Sequence, residues 1–152
     1  MVLNLDEAVF YPYIVHPLLL ITVPKHIVII EHDQDILETM QRLLEAEGYI
    51  VTTFTRFPSM AELAFMRADC FIIDEWLPQV SGHAICLMLK AKIQTSKTPV
   101  ILVSTTHLFE PMANLCEADA VVGKPFSGGE LVRVVSSLLF RNKISIARQG
   151  NP

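Results

Sequence analysis

The chain has 152 residues, of which 51% are hydrophobic and 18% are charged, and its formal net charge is −4. This length suits one domain with a buried core, and the composition excludes a disordered chain. The acidic balance and the scattered lysines and arginines argue against nucleic-acid binding.

Residues 1–24 form an apolar N-terminal extension that is broken by prolines. It is too short and too interrupted for a membrane helix, which needs about 20 apolar residues. It also begins with Asp6 and Glu7 rather than with the basic residues of a signal peptide. We therefore expect no membrane span. The extension either packs on the domain or a partner, or is a leader that the fold does not need, and the sequence favours neither.

The three cysteines, Cys70, Cys86 and Cys116, are odd in number and have no metal-like spacing. Cys70 and Cys86 lie in apolar stretches, where a cysteine usually behaves as a small buried hydrophobic residue. This usage fits a reducing, cytoplasmic compartment.

From residue 25 onward, apolar runs typical of strands alternate with amphipathic segments typical of helices. The predicted strands are HIVII (26–30), YIVTTF (49–54), CFII (70–73), PVILV (99–103) and AVV (120–122).

Helix signals occupy the segments between these strands. Asp33 is a typical N-cap ahead of apolar residues at helical spacing, and Gly48 is a typical helix end. Capping boxes at 59–62 and 127–130 predict two more helix starts. The loop that contains Gly82 leads into another helix.

Continuous apolar strands that alternate with helices indicate an α/β fold, with a parallel sheet covered on both faces. We place this domain at residues 25–142 and a C-terminal tail at 143–152. The tail is expected to add one turn of helix and then fray.

In doubly wound sheets, ligands bind beyond the carboxyl ends of the strands. The residues at these positions include acids, hydroxyls and a lysine, which are therefore expected to converge. They are Glu31, His32, Asp33, Asp74, Ser104, Thr105, Gly123, Lys124 and Pro125.

Four motifs in this order, IVIIEHDQDIL, FIIDEWLPQVSG, PVILVST and ADAVVGKPF, resemble the successive signatures of response-regulator receiver domains. The resemblance runs from about His26 to Phe140. Each motif alone is weak, but four in the same order and spacing are specific. The resemblance implies a flavodoxin-like fold with five parallel strands in the order 2-1-3-4-5.

The resemblance also implies residue roles. Asp74 aligns with the phosphoacceptor, which takes a phosphoryl group from a phosphohistidine. Lys124 aligns with the lysine that supplies positive charge, and Pro125 with the proline that follows it in a cis peptide bond. Ser104 aligns with the hydroxyl that hydrogen-bonds the phosphoryl group and reports its arrival to the next helix.

The implied metal site departs from the family pattern at His32. Receivers usually hold Mg²⁺ with two acids after the first strand and with the phosphoacceptor. Here Glu31 takes the first position, but His32 stands in place of an aspartate, and imidazole is a poor magnesium ligand.

Three metal arrangements remain open. Glu31, Asp74 and the main-chain carbonyl of Trp76 could hold Mg²⁺ weakly, Asp33 could become the second acid, or His32 could favour a softer ion such as Mn²⁺ or Zn²⁺. Equally, His32 need not bind metal and, when protonated, could pair with Asp74 in place of a cation.

Two further positions bear on signalling. Many receivers carry a swinging aromatic residue where this chain has Val121, so output is expected to run instead through the loop from Thr105 to Glu110, a predicted partner surface. Trp76 aligns with a position that flanks the path of the hydrolytic water. Its indole should shield the phosphoryl group and slow autodephosphorylation, or it serves partner contact.

The resulting expectation is a single-domain response regulator, or one domain of a longer chain, and not an enzyme apart from its own phosphorylation and dephosphorylation. Its implied partners are a sensor histidine kinase or histidine phosphotransfer protein, an unknown output protein and a second copy of itself. The alternative is a pseudo-receiver that binds or dimerises without efficient phosphorylation, which His32 and Val121 favour. A flavodoxin would need a glycine-rich phosphate loop after the first strand, where this chain is acidic.

Overall fold

The computed structural model describes residues 23–105 and 114–149, with side chains up to Phe140. Strands and helices alternate along most of this part of the chain, as predicted. The elements are β1 (His26–Ile30), α1 (Gln34–Ala46), β2 (Ile50–Phe54), α2 (Met60–Phe65), β3 (Cys70–Asp74), α3 (Gly82–Ala91), β4 (Val100–Ser104), β5 (Ala120–Gly123) and α4 (Gly128–Gln149).

All five strands are parallel and pair in the order β2-β1-β3-β4-β5, which confirms the predicted fold and strand order. The central strands are buried on both faces, with no exposed surface on Ile27 to Ile30. Continuous apolar sequence is what such a doubly covered sheet requires, because both side-chain directions meet a helix.

Two apolar layers lie on opposite faces of the sheet, because alternate residues of each strand point to opposite sides. In β1, Ile27 and Ile29 pack with α1 and α4, whereas Val28 and Ile30 pack with α2 and α3. Two helices therefore pack on each face of the sheet. The polar residues lie at the carboxyl ends of the strands, outside these two apolar layers.

The predicted helix starts and stops are present. Asp33 accepts hydrogen bonds from the main-chain N–H groups of Asp35 and Ile36 at 3.0 and 3.1 Å. Ser59 and Ser127 each accept from the N–H three residues later at 3.1 Å. Gly48 has φ +86°, a left-handed conformation that glycine adopts without steric cost.

The C-terminal helix is longer than predicted. The tail was expected to add one turn and then fray, but α4 continues to Gln149. The tail sequence contains no proline or glycine before Gly150, so nothing in it breaks a helix. Residues 1–22 of the predicted extension, and 106–110 of the predicted partner loop, lie outside the described residues.

Cys70, Cys86 and Cys116 are buried as free thiols, in agreement with the prediction for the first two. Burial raises the pKa of the Cys70 and Cys86 thiols above the usual range, so both act as packing residues. In the described part of the chain, no helix has the length and apolar character needed to cross a membrane.

Candidate functional site

The carboxyl ends of the strands bring the predicted polar residues to one edge of the sheet. Glu31 directly follows β1, Asp74 and Ser104 are the last residues of β3 and β4, and Lys124 directly follows β5. Parallel strands end at the same edge, so residues up to 93 positions apart in sequence come into hydrogen-bond contact.

Asp74 lies at the centre of this edge, with 2% of its surface exposed. Its two carboxylate oxygens face different partners. Oδ1 accepts a hydrogen bond from Nζ of Lys124 at 3.1 Å, and Oδ2 lies 2.7 Å from Nδ1 of His32. The main chain beside it is fixed by a 2.9 Å hydrogen bond from the N–H of Glu75 to the carbonyl of Val103.

Glu31 is fully buried, and Lys124 is its charge partner. Nζ of Lys124 donates to Oε2 at 2.6 Å, and Oε1 accepts from the main-chain N–H of Asp33 at 2.9 Å. Burial raises the pKa of the Glu31 carboxyl, and the hydrogen bond from Lys124 only partly offsets this. Burial opposes the charge on Lys124 too, but hydrogen bonds to Glu31 and Asp74 outweigh it and raise the pKa of its ammonium group.

His32 turns its imidazole toward the two carboxylates. Besides the 2.7 Å contact with Asp74, its Nδ1 lies 3.3 Å from Oε1 of Glu31, while 45% of the side chain is exposed. A nitrogen that close to a carboxylate oxygen must carry a hydrogen to form a favourable contact. Asp33, the alternative second acid, instead caps α1 with its carboxylate.

Glu31, His32 and Asp74 offer ligand atoms that all lie within 4.8 Å of one another. Two buried carboxylates suit a divalent cation. The imidazole does not suit Mg²⁺, which prefers oxygen ligands in a tight octahedron. The donor set therefore fits a divalent metal ion but departs from an all-oxygen magnesium site.

The predicted switch residues lie on β4 and β5 and on the segments that directly follow these strands. Ser104 is buried, and its main-chain carbonyl accepts from the N–H of Lys124 at 2.7 Å. Thr105 is exposed, and Val121 is half-buried against the apolar layer of α2 and α3. The peptide bond between Lys124 and Pro125 is cis, as the family resemblance implies.

A cavity of about 440 Å³ opens beside Lys124. Its walls are largely apolar and come from the start of α1, the end of β4 and the segment after β5. The lining residues are Asp35, Ile36, Thr39, Thr105, Lys124, Pro125 and Phe126. Solvent or a partner side chain can therefore reach the Lys124 side of the centre.

The loop between β3 and α3 carries Trp76, whose side chain is 60% exposed. The two ends of this loop are tied together, since the N–H of Gly82 donates to the carbonyl of Glu75 at 2.9 Å. A Cβ atom on Gly82 would lie 2.5 Å from the main-chain oxygen of Asp74. Glycine is required here because no side chain fits against the end of β3.

Sequence reasoning missed a second polar pair beside the centre. Glu75 is 2% exposed, and its Oε1 lies 2.6 Å from Nδ1 of His83. Its Oε2 has no hydrogen-bond partner among the described residues. The signal was an acid directly after a buried strand, together with a histidine in the first turn of the next helix.

Comparisons with known proteins agree with this geometry. A family model for the response regulator receiver domain matches residues 27–136. The response regulator SaeR of Staphylococcus aureus (strain USA300) is 35% identical over 120 residues, which cover 78% of this chain and 52% of SaeR. This chain thus spans about half the length of the curated relatives that it matches.

Solved structures show the same fold. The chemotaxis response regulator CheY4 of Vibrio cholerae superposes with a TM-score of 0.72 at 18% identity, covering 76% of this chain and 99% of CheY4. The receiver domain of the sensor histidine kinase PA1611 of Pseudomonas aeruginosa PAO1 has a TM-score of 0.67 at 19% identity, covering 77% and 98%. That structure holds a magnesium ion in its active-site cleft.

Proposed function

The chain belongs to the response regulator receiver family, and we propose that it accepts a phosphoryl group from a phosphohistidine on the carboxylate of Asp74. One observation carries the proposal. Asp74 is buried at the carboxyl edge of the sheet with Oδ1 directed at the ammonium group of Lys124, 3.1 Å away. A carboxylate beside a fixed positive charge suits phosphoryl acceptance, which depends mainly on positioning and charge neutralisation.

In the proposed reaction, Oδ1 of Asp74 attacks the phosphorus atom of the donor. The bond between phosphorus and the donor imidazole nitrogen breaks, its electron pair stays on that nitrogen, and the product is an acyl phosphate. Lys124 faces Oδ1 and neutralises the phosphoryl oxygens.

The proposed metal ligands are Glu31, Asp74 and the main-chain carbonyl of Trp76, with His32 as the departure described above. A divalent cation such as Mg²⁺ or Mn²⁺ would supply positive charge for the transferring phosphoryl group when bound there. Glu31 is held for this role by Lys124 on one oxygen and by the N–H of Asp33 on the other.

The proposed output follows from the residues next to Asp74. The Ser104 hydroxyl bonds the phosphoryl group, and Thr105, exposed directly after it, transmits the change to a partner surface. A sensor histidine kinase or histidine phosphotransfer protein supplies the phosphoryl group. The signal then passes by phosphorelay or by contact with an output protein or a second copy of this chain.

Intact-mass spectrometry after incubation with acetyl phosphate tests this proposal. Samples carry Mg²⁺, Mn²⁺ or a chelator, and the same conditions are applied to Asp74→Asn and Asp33→Asn. We expect one added phosphoryl group on the wild type and on Asp33→Asn, which keeps the helix cap. No addition is expected on Asp74→Asn or in chelator. Addition to Asp74→Asn would refute Asp74 as the acceptor.

A second candidate function is a pseudo-receiver that acts through binding or dimerisation alone. The contact between His32 and Asp74 favours it, because a hydrogen bond from Nδ1 already occupies Oδ2. Folded wild-type protein that gains no phosphoryl group, either from acetyl phosphate with any ion or from a phosphorylated histidine kinase, would establish this alternative.

A further inference from the structure

The metal site that the family pattern implies differs in this chain at His32, which stands in place of an aspartate. In the cluster of Glu31, His32 and Asp74, one of three potential metal ligands is an imidazole nitrogen. Mg²⁺ loses its water reluctantly and takes oxygen ligands, whereas first-row transition metals bind imidazole well. A donor set of two carboxylates and one imidazole therefore favours a transition-metal ion over Mg²⁺.

Two of the three separations between the ligand atoms are close to those expected around one metal ion. Nδ1 of His32 lies 2.7 Å from Oδ2 of Asp74 and 3.3 Å from Oε1 of Glu31. Two atoms held about 2.1 Å from one metal ion, at angles of about 90° to 109°, lie about 3.0 to 3.4 Å apart. Nδ1 of His32 thus lies at about ligand-to-ligand distance from one oxygen of each carboxylate.

Each carboxylate divides its oxygens between Lys124 and His32. Nζ of Lys124 contacts Oε2 of Glu31 and Oδ1 of Asp74, while Nδ1 of His32 faces Oε1 and Oδ2. A metal ion on the His32 side therefore need not displace the lysine. The N–H of Asp33 also donates to Oε1, and such outer hydrogen bonds hold a ligand in its binding orientation.

Access and charge favour an ion at this position. Glu31 and Asp74 are buried, but His32 is 45% exposed, so its ring lies at the solvent side of the cluster. Waters can complete the coordination from that side. The ion would take the place of the hydrogen on Nδ1. A neutral ring would then carry its single hydrogen on Nε2, whereas a protonated ring would release the Nδ1 proton to solvent, and in both cases the Nδ1 lone pair would bind the metal.

We propose that Glu31, His32 and Asp74 bind a divalent first-row transition-metal ion that accepts imidazole, of the class of Zn²⁺, in preference to Mg²⁺. The proposal rests on the proposed function only in sharing its site, since binding does not require a phosphoryl group. His32 thereby gives the site one nitrogen ligand, whereas the family pattern implies a magnesium site with oxygen ligands only.

Binding is measured without any phosphoryl donor, so its failure is distinct from a failure of phosphorylation. Trp76 is the single tryptophan of the chain and lies two residues after Asp74, so its fluorescence is the first probe of binding. We expect Zn²⁺ to bind the wild type at least about 100-fold more tightly than Mg²⁺. Calorimetric titration gives the same constants independently of the indole.

Variants at residue 32 provide the decisive comparison. His32→Asp is expected to tighten Mg²⁺ binding about tenfold and to shrink the gap between Zn²⁺ and Mg²⁺, and His32→Ala to weaken Zn²⁺ binding at least tenfold. Glu47→Gln, which removes an exposed carboxylate at the opposite end of α1, is the control and should bind both ions like the wild type. A folded His32→Ala with unchanged Zn²⁺ affinity, or wild-type protein that binds Mg²⁺ as tightly as Zn²⁺, would overturn the proposal.

A spectroscopic measurement identifies the ligand atom. In a long-range ¹H–¹⁵N spectrum of the imidazole rings, Zn²⁺ should shift the Nδ1 signal that is lost in His32→Ala. A Zn²⁺-dependent shift confined to the other histidines would place the ion elsewhere and refute the site.

Discussion

Lys124 makes its shortest side-chain contact with Glu31, not with the aspartate proposed to be phosphorylated. Its Nζ lies 2.6 Å from Oε2 of Glu31 and 3.1 Å from Oδ1 of Asp74. One ammonium group thus offsets two buried carboxylates. Lys124 is proposed to assist phosphoryl transfer. It also lowers the free-energy cost of burying two carboxylates at the strand ends of the folded protein.

Replacing this lysine should therefore affect both stability and phosphorylation. Lys124→Met leaves Glu31 and Asp74 as buried carboxylates without the lysine, which we expect to cost about 3 kcal/mol of unfolding free energy in urea. The rate of phosphorylation by acetyl phosphate should fall about 100-fold. An unchanged rate in folded Lys124→Met would contradict the assigned role.

The stability difference between the wild type and Lys124→Met should depend on pH at the alkaline end. The pKa of Lys124 is raised in the folded state, so its stabilising contribution is complete below the ordinary lysine pKa. The contribution is lost as the pH rises through the raised value. Urea unfolding from pH 8 to about 11 should show the difference shrinking, whereas a constant or growing difference would be inconsistent with this shift.

Glu31 should give a pH dependence at the acid end. Its folded-state pKa is raised by burial, so its contribution to stability is most favourable below the ordinary value of 4.5 and declines as the pH rises through the raised value. Glu31→Gln does not titrate, and should therefore gain stability relative to the wild type between about pH 4 and pH 7. The two proteins are compared by urea unfolding in chelator. If Glu31→Gln instead lost stability relative to the wild type over this pH range, the pKa of Glu31 would not be raised.

Trp76 should lengthen the lifetime of the acyl phosphate. Trp76 lies two residues after Asp74, in the loop that follows β3, and its side chain is 60% exposed. In Trp76→Ala, we expect the half-life measured by intact mass to shorten roughly threefold, since water reaches the phosphorus more easily. Trp76→Phe should be intermediate, and an equal half-life in all three proteins would exclude shielding.

The pair of Glu75 and His83 should contribute to stability. His83→Leu removes the hydrogen bond from a carboxylate that is 2% exposed, and we expect a loss of about 2 kcal/mol. Glu75→Met should cost less, because His83 can still reach solvent. The double variant should lose at least about 1 kcal/mol less than the sum of the single losses, and simple additivity would mean that the pair is not coupled.

Residue pattern and backbone topology account for the features that the sequence predicted. The strand order was implied by the family resemblance, and the helix caps were predicted from capping residues such as Asp33 and Ser59. The meeting of Glu31, Asp74 and Lys124 follows from where the apolar runs end in a parallel sheet. The direction of the His32 ring and the bond between Glu75 and His83 depend on side-chain rotamers, which are set only when neighbouring segments pack. The length of α4 was underestimated because helix propensity alone gave no reason to extend it or to stop it.

The tied ends of the loop after β3 have a consequence for engineering. Gly82 hydrogen-bonds Glu75, and its missing side chain lets α3 start directly against the main chain of Asp74. The intervening residues 76–81 leave and return at nearly the same point, so extra residues inserted among 78–80 would bulge outward while the acceptor stays in place. A peptide epitope or a fluorophore-binding tag could thus be grafted there to report on the acceptor from the surface.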